Sequence, residues 1–392
     1  MGIIVNLPFK RVVLMSNQVD RLGGVSRFIE RVSSEFLRRG FLVEIIGVNP
    51  TPKDELVEVN RPAEMLVDCL WDEHAPENWT LNRRRDRLNP FRRRRNARRH
   101  ELRSNGCRKL SKKLVEWGPE TVILCTQVFG MEHLIEAGYD PLDRSLPRVI
   151  GQYHGSYEMC VQTGDLRRVL KNYKDVDRFV CLTADDAALF TRAGLNNVSW
   201  LPNPVADPST VVQERENTFV TLGRYDKQKS LHYVVKAWES VYSNLPDWKV
   251  ELYGEGPLGA SLQEMIDDLK LPRIRLMGKT DMVGEVLSSS KVHLLSSQYE
   301  GLPIAIVEAS LAGVPTISFD CAPGIRDLII DSESGIVVRQ NNVSEFAASM
   351  EKLALEPETL AQYSDRGRMH AQQYLPSAIS SKWITLFNDL QR

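Results

Sequence analysis

Two glutamates, Glu300 and Glu308, enclose a short stretch that begins Gly301-Leu302-Pro303. The apolar run before them predicts a buried strand, and the run after Pro303 predicts a helix with proline at its first position, where a missing N–H costs nothing. Free backbone amides and the helix dipole at such a start bind anions such as a diphosphate. Carboxylates instead accept hydrogen bonds from sugar and ribose hydroxyls. An incidental glutamate at a helix start would explain only one of the two carboxylates.

Two cations, Arg224 and Lys229, follow the predicted strand TFVTL and Gly223. Loops at the carboxyl ends of parallel strands are where ligands bind in open α/β sheets. A departing nucleoside diphosphate develops negative charge, and one preorganised donor or cation stabilises such charge by ~3 kcal/mol or more. As plain surface residues the two cations would be unremarkable, so their position after the strand is what favours a role in binding.

The segment from Glu300 to Glu308 matches the E-x7-E pattern of retaining GT-B glycosyltransferases, and EGLPIAIVEA resembles glycosyltransferase family 4, the glycosyl transferases group 1, in particular. The resemblance covers nearly the whole chain apart from about 51–105. It implies that Glu300 binds hydroxyls of the donor sugar, that Glu308 binds the ribose, and that Arg224 and Lys229 bind the diphosphate. It also implies a reaction that needs neither a metal ion nor another cofactor.

Further glycines resemble the donor site of that family. Gly254 and Gly256 follow the strand WKVELY and match a turn near the nucleotide, although a structural turn would explain them almost equally well. Gly278 and Lys279 follow RIRLM, at the place where the family's backbone contacts the base. Backbone contacts leave little trace in side chains, so the identity of the base stays open.

The first half of the chain carries three more positions of this kind. Gly23-Gly24 resembles the family's glycine loop, which approaches the donor phosphate and the acceptor, although two glycines could also form a plain tight turn. His154 ends the predicted strand PRVIGQYH and matches a histidine beside the transferred sugar, whereas a lone histidine is more often structural. Gly155 stands where many relatives have aspartate, which leaves the contact at that position open.

The order of predicted elements gives the fold class. A chain of 392 residues exceeds the size of one core, and two α/β halves are separated by three prolines within 202–208. Each half alternates strands and helices, which predicts two doubly wound Rossmann-like domains facing across a cleft, the GT-B fold. We expect domains at 1–203 and 204–376. A last amphipathic helix at 377–392 is expected to pack on the first domain.

Residues 51–105 lack a clear period and are expected to form an insertion of loops and short helices. Within it, eleven arginines from Arg83 to Arg103 face only two acids, while acidic residues predominate elsewhere. The block is either a solvated surface or a patch for phosphate-rich partners: an anionic membrane, a lipid diphosphate acceptor or nucleic acid. Nucleic acid is disfavoured because Phe91 is the only aromatic residue among the arginines.

Several absences narrow the function. No apolar run reaches the roughly 20 residues of a membrane span and no signal-peptide cleavage pattern occurs, so we expect a protein that is cytoplasmic or peripheral on the cytoplasmic face of the membrane. The six cysteines form no C-x-x-C pair and are expected to be buried thiols. The D-x-D of Asp175 and Asp177 is expected to be solvent-exposed at a helix end, and no hydrolase, zinc-protease or P-loop motif occurs.

The sequence therefore predicts a retaining hexosyltransferase. It would move a hexose or N-acetylhexosamine from a nucleotide-sugar to a glycan or lipid-linked oligosaccharide in cell-surface polysaccharide or glycoconjugate synthesis. A UDP-sugar is the expected donor, because such donors predominate in the family that the chain resembles. Two alternatives stay open: a UDP-sugar epimerase of the same architecture, which would need no acceptor, and a nucleic-acid-binding protein that uses the arginine block.

Overall fold

The computed structural model describes residues 7–21, 23–56, 61–74, 89–208 and 214–390. The chain divides into two compact units. The first contains residues 1–201 and 379–392, and the second contains residues 202–378. The boundaries lie two residues from those expected at 203 and 376. In each unit a parallel β-sheet carries helices, which confirms the predicted α/β class.

The first unit contains a seven-stranded parallel sheet with the order β3-β2-β1-β4-β5-β6-β7. Its strands are β1 (Arg11–Gln18), β2 (Leu42–Asn49), β3 (Leu66–Cys69), β4 (Thr121–Cys125), β5 (Arg148–Gln152), β6 (Arg178–Cys181) and β7 (Val198–Trp200). The central strands are buried on both faces, as expected where helices cover both sides of a parallel sheet. The order reverses between β1 and β4, so the carboxyl ends of these two strands form the switch point where such sheets bind ligands.

Helices of the first unit follow the strands as crossover connections. They are α1 (Gly24–Arg38), α2 (Pro90–Trp117), α3 (Val128–Glu136), α4 (Tyr157–Gln162), α5 (Leu166–Asn172) and α6 (Ala184–Arg192). The last helix of the chain, α14 (Pro376–Leu390), contributes Trp383 and Phe387 to the core formed by α1 and this sheet. Both side chains are fully buried. The amphipathic pattern of the final helix is thus explained by packing within the first unit.

The second unit contains a six-stranded parallel sheet with the order β10-β9-β8-β11-β12-β13. Its strands are β8 (Thr218–Leu222), β9 (Lys249–Tyr253), β10 (Ile274–Gly278), β11 (Val292–Leu295), β12 (Thr316–Phe319) and β13 (Gly335–Val338). Its helices are α7 (His232–Val241), α8 (Gly259–Asp268), α9 (Val283–Ser289), α10 (Ile304–Leu311), α11 (Gly324–Leu328), α12 (Val343–Leu355) and α13 (Pro357–Ala371). All six strands were predicted from their apolar runs and are confirmed.

The interpretation of residues 51–105 as loops and short helices is wrong for the part that the structure describes. Leu66–Cys69 forms a strand parallel to β2, and α2 is a helix of 28 residues. The apolar period of α2 begins only at Leu102, because its first three turns bury no side chain. The arginines therefore concealed the helix from pattern analysis. Arg83 to Arg87 of the predicted block lie outside the described residues.

Three smaller expectations can be compared with the structure. All six cysteines are free thiols; four are buried as predicted, whereas Cys69 and Cys321 are only half-buried. Asp177 is not a solvent-exposed residue: its carboxylate accepts hydrogen bonds from the Val149 backbone N–H (2.8 Å) and the Tyr139 hydroxyl (3.3 Å), so it joins strands of the sheet. Among the described helices, none combines the length and the apolar character required to cross a bilayer.

Candidate donor site

The second sheet brings the loops after β8 and β11 together at its switch point. These strands are neighbours in the sheet although three helices and two strands separate them in the chain. Gly223 and Lys229 belong to the first loop, and Glu300 belongs to the second. Because the sheet order reverses here, no crossover helix fills the space between the two loops. The predicted cations and the first predicted carboxylate therefore share one edge.

Lys229 and Glu300 form a tight ion pair at this edge. The Lys229 Nζ lies 2.6 Å from Oε1 of Glu300, and the Ser297 hydroxyl donates to the same oxygen at 2.6 Å. The side chains of Lys229 and Glu300 are 21% and 9% exposed, so the pair is largely shielded from water. Charge-assisted hydrogen bonds of this length are about twice as strong as neutral ones. Glu300 is therefore held in one orientation rather than free in solvent.

Arg224 occupies a different environment. Its side chain is 77% exposed, and its closest ionic contact is the Asp226 carboxylate, 3.9 Å from Nε. Asp226 also accepts a hydrogen bond from the Lys229 backbone N–H at 3.0 Å, which closes the loop between the two cations. The structure thus presents Arg224 to solvent and holds Lys229 against Glu300. The two predicted diphosphate ligands share one loop but not one environment.

The loop that carries Glu300 is fastened to its neighbours through polar contacts. Gln228 accepts a hydrogen bond from the Gln298 backbone N–H at 2.7 Å and donates to the Tyr299 carbonyl at 3.0 Å. The Ser296 hydroxyl donates to the Lys229 carbonyl at 2.8 Å, and the Gln340 amide reaches the Ser297 carbonyl at 3.4 Å. The position of Glu300 is therefore defined by three loops of the same sheet edge.

Glycines allow the loops after β8 and β9 to approach closely. A Cβ on Gly254 would lie 1.8 Å from the Gly223 carbonyl oxygen, and one on Gly256 would lie 2.5 Å from that of Tyr225. Gly254 also has φ +145°, which L side chains rarely adopt. Tyr225 fills the space beneath, where its hydroxyl donates to the Leu252 carbonyl at 2.6 Å. Backbone packing thus suffices to explain both glycines.

Gly278 extends this arrangement to the next strand. Its carbonyl accepts the Gly254 N–H at 2.8 Å, and its φ of +76° turns the chain at the end of β10. Lys279 follows and is exposed. The predicted donor glycines therefore lie along adjacent strand ends, β8, β9 and β10, beside the Lys229–Glu300 pair.

The helix start predicted around Pro303 differs in one detail. The helix begins at Ile304, so Pro303 is the N-cap residue and not the first helical residue. Leu302 and Pro303 are buried, and Gly301 is half-buried. Glu308 lies one turn into α10 and is half-buried.

Two buried groups lie behind the ion pair. His293 on β11 is fully buried, and one ring nitrogen, Nδ1, lies 3.1 Å from the Thr316 hydroxyl. Burial and, to a smaller extent, the charge of Lys229 lower its pKa to about 3. Burial and the negative charge of Glu300 raise the pKa of the Cys321 thiol to about 12. Both groups are therefore neutral at physiological pH, and neither adds charge to the site.

In the first unit, Gly23 and Gly24 precede and begin α1. Both are exposed, and a Cβ on either would meet nothing within 4 Å. Gly23 has φ 163°, an extended conformation open to any residue. A tight turn is therefore not the reason for these glycines. His154 lies two residues beyond the end of β5, and its ring packs on Phe28 of α1 with centroids 4.7 Å apart.

Sequence patterns missed Ser297, Gln228 and Tyr225, although each contacts a predicted site residue. Ser297 stands three residues before Glu300, a spacing that a tight loop brings together. That signal was visible but not specific. Gln228 and Tyr225 gave no signal, because their partners come from loops distant in the chain.

Comparisons with known proteins show which sequences and folds this chain is similar to. Residues 204–370 match the family model described as glycosyl transferases group 1. An uncharacterized glycosyltransferase of Haemophilus influenzae is 29% identical over 225 residues, which are 56% of this chain and 64% of the relative. A poly(ribitol-phosphate) alpha-N-acetylglucosaminyltransferase of Staphylococcus aureus is 27% identical over 169 residues, which are 43% of this chain and 34% of the relative. Both matches span less than two thirds of the relative's length.

A solved structure shows the same fold over nearly the whole chain. A mutant of TarM from S. aureus, in complex with fondaparinux, alpha-GlcNAc-glycerol and UDP, aligns with a TM-score of 0.75 and 15% identity. The alignment covers 97% of this chain and 100% of TarM. The chain therefore has the fold of GT-B glycosyltransferases, and its second unit is a glycosyl transferases group 1 domain.

Proposed function

We propose that the protein is a retaining glycosyltransferase that moves a hexose or N-acetylhexosamine from a UDP-sugar to a glycan or lipid-linked acceptor in cell-surface polymer synthesis. The observation that carries the proposal is the Lys229–Glu300 pair at the switch point of the second sheet. A cation for phosphate and a carboxylate for sugar hydroxyls lie within one hydrogen bond of each other there. The UDP in the TarM complex and the activity named for the S. aureus relative support the choice of donor.

In the proposed reaction the acceptor hydroxyl attacks the anomeric carbon on the face from which the diphosphate leaves. The new C–O bond forms as the bond to the diphosphate breaks, and a leaving phosphate oxygen takes the hydroxyl proton. Lys229, Arg224 and amides near Gly301 would stabilise the departing charge. Glu300 and His154 would orient the sugar, and Glu308 would bind the ribose. Positioning and electrostatics would then supply most of the catalysis.

The first experiment measures nucleoside diphosphate release from UDP-, GDP- and ADP-sugars, with and without membrane extract as a source of acceptor. We expect release from a UDP-sugar, faster with extract, and retention of configuration in the product by NMR. Glu300→Ala and Lys229→Ala should abolish most of it. Glu264→Ala, an exposed carboxylate on α8, is the matched control.

The outcomes separate the candidate functions. Conversion of the UDP-sugar to its epimer without acceptor would replace the transferase proposal with the epimerase. Inversion at the anomeric carbon would refute the retaining mechanism alone. If no nucleotide-sugar is bound or consumed, the assignment of the donor site fails.

The proposed reaction requires no metal ion, because Lys229 and Arg224 supply the positive charge that a divalent cation supplies elsewhere. Dialysis against EDTA should therefore leave the rate of UDP release unchanged. A rate that falls with EDTA and returns with added Mg²⁺ or Mn²⁺ would contradict this part of the proposal.

The arginine block is proposed to bind an anionic membrane at the cytoplasmic face, where lipid-linked acceptors would be found. The first three turns of α2 bury no side chain, and Phe91 at their start is 79% exposed. Asn89 caps the helix by accepting hydrogen bonds from the N–H groups of Phe91 and Arg92. Four successive arginines, Arg92 to Arg95, lie in the first two turns of α2, where they repel one another and oppose the helix dipole. Binding to negatively charged lipid head groups would relieve this electrostatic repulsion.

Part of the block has a structural role. Arg98 is ion-paired with Glu73 (2.7 Å), and Arg103 is ion-paired with Glu136 (2.5 Å). Arg93, Arg94 and Arg95 are exposed and form no ion pair within the described parts of the chain. In the described part of the block, these three are therefore exposed to lipid head groups, each adding about 1 kcal/mol of attraction near an anionic leaflet.

Vesicle co-sedimentation tests this surface. Wild-type protein should pellet with phosphatidylglycerol-containing vesicles at low salt and be released at high salt. The triple change of Arg93, Arg94 and Arg95 to Glu should abolish pelleting. The matched control reverses three exposed cations around α5, Arg167, Lys171 and Lys174, with the same change in net charge. Equal loss in both variants, or no binding by wild type, would exclude a specific membrane surface on α2.

A further inference from the structure

We propose that Ser297 is a positioning residue that determines which oxygen of Glu300 is presented to the donor sugar. The inference rests on the proposed function and deepens it. Ser297 is fully buried at the end of β11, and its hydroxyl donates to Oε1 of Glu300 at 2.6 Å. No pattern in the sequence assigned it a role.

The two oxygens of Glu300 have different surroundings. Oε1 accepts from Ser297 and from Lys229, each at 2.6 Å, which occupies its two lone-pair directions. Among the residues that the structure describes, Oε2 has only the Gln228 amide as a hydrogen-bond partner, at 3.5 Å and thus at the outer limit. The strong acceptor capacity that remains therefore belongs to Oε2. A sugar hydroxyl that approaches Glu300 would bind this oxygen.

Lys229 cannot maintain this arrangement by itself. An ammonium is a compact charge on a flexible stem and can bind either oxygen of a carboxylate. Ser297 is instead fully buried, and its backbone carbonyl accepts a hydrogen bond from the Gln340 amide. Its side chain therefore has little freedom to move away from Oε1. With both donors present, rotation of the carboxylate would break two short hydrogen bonds. Without Ser297, Lys229 could bridge both oxygens, and Oε2 would no longer be reserved for the sugar.

This role predicts a specific signature in binding. UDP has the diphosphate and the ribose but lacks the transferred hexose, so its affinity should not depend on the orientation of Glu300. UDP-N-acetylglucosamine does depend on it. Removing the Ser297 hydroxyl should therefore lower the affinity for UDP-N-acetylglucosamine and leave the affinity for UDP unchanged. General damage to the loop would weaken both, because Lys229 and Gly301 lie beside it.

The experiment is calorimetric titration of UDP and of UDP-N-acetylglucosamine into the full chain. For Ser297→Ala we expect a Kd for the sugar donor about tenfold higher, the effect of one hydrogen bond to a charged group, with the Kd for UDP within about twofold of wild type. Ser297→Thr keeps the hydroxyl and should restore the donor affinity. Ser296→Ala is the matched control, since its equally buried hydroxyl donates to the Lys229 carbonyl and not to Glu300.

In Ser296→Ala the affinities for UDP and for UDP-N-acetylglucosamine should change by the same factor or stay unchanged. Thermal melting verifies folding, and Ser297→Cys, a weaker donor of similar shape, carries the test if the alanine variant does not fold. Equal weakening of UDP and UDP-N-acetylglucosamine in Ser297 variants, or unchanged affinity for the sugar donor, would overturn the inference while the proposed function stands. Failure of wild type to bind either ligand would overturn both.

Discussion

The carboxyl edges of the two sheets are built in different ways. At the edge of the second sheet, Lys229 and Glu300 form a shielded ion pair that Ser297 completes. At the edge of the first sheet, the predicted residue His154 packs on Phe28, which in turn contacts Trp383 of the final helix with ring centroids 6.3 Å apart. One edge is organised by charge and short hydrogen bonds, and the other by aromatic packing.

The glycines at the two sheet edges also differ. Gly254 and Gly256 are required by backbone atoms of their own unit, whereas a Cβ at positions 23 and 24 would meet none of the residues that the structure describes within 4 Å. Where the neighbouring protein atoms leave room for a Cβ, a glycine favours the interpretation that a ligand approaches the backbone at that position. We therefore propose preorganised charge at the second edge and close backbone access at the first. Each of the following changes tests one side of this contrast.

The largest effect is expected from Trp383→Ala. Removing a fully buried tryptophan costs about 3–5 kcal/mol. It also removes a ring contact of Phe28, on which His154 packs. Hydrogen exchange should show lower protection in β1, β4 and β5, with β8 to β12 unchanged. Asn388→Ala on the exposed face of α14 is the control. Similar loss of protection in both sheets would mean that the final helix stabilises more than the first unit.

The next effect concerns the charged edge. Glu300→Ala removes the proposed sugar ligand and leaves Lys229 largely shielded without its partner, so we expect the kcat of transfer to fall about 10²–10³-fold. His154→Ala should reduce the rate less, since this change leaves the Lys229–Glu300 pair intact. Steady-state kinetics with the donor that is turned over checks this order. A larger loss for His154→Ala would reverse the assignment of the two edges.

Acid should weaken the second unit through His293. Its pKa is lowered to about 3 by burial, below the usual 6.5, so the folded state binds a proton less readily than the unfolded state. Stability is therefore complete above about pH 6.5 and falls as the pH approaches 3. The loss is about 2 kcal/mol between pH 6.5 and 5, at ~1.4 kcal/mol per pH unit.

Urea unfolding at pH 7 and pH 5 measures this effect. His293→Asn should reduce the difference in unfolding free energy between the two pH values, while His100→Asn, on the exposed part of α2, should not. An unchanged difference in His293→Asn would assign the acid sensitivity to other groups.

The smallest effect is expected from Tyr225→Phe, which removes the hydrogen bond to the Leu252 carbonyl beneath the glycine turn. One buried hydrogen bond contributes about 1 kcal/mol. Urea unfolding should show this loss with UDP affinity nearly unchanged, because the ring still fills the space under Gly254. Tyr242→Phe, at the C-cap of α7 and partly buried against the same core, serves as a control for the loss of a tyrosine hydroxyl. A marked loss of UDP affinity would give Tyr225 a direct part in binding.

Much of the fold was predictable because parallel strands buried on both faces leave continuous apolar runs, and glycine and proline mark their ends. All strands of the second unit were identified in this way. β3 was not, since its side chains are mostly exposed. The long helix α2 was not, because six arginines and Phe91 replace its apolar period until Leu102.

For the site, the sequence by itself determined the residue types and their places at strand ends: Glu300, Lys229 and the glycines. Local spacing could not show that Lys229 pairs with Glu300, because the two are brought together only when β8 and β11 become neighbours in the sheet. Tertiary structure also decided that Ser297 and Gln228 hold Glu300, that Arg224 remains exposed, and that His154 rests on α1. These contacts join residues that are distant in sequence or depend on which face of a loop is buried, and neither property is encoded in a local pattern.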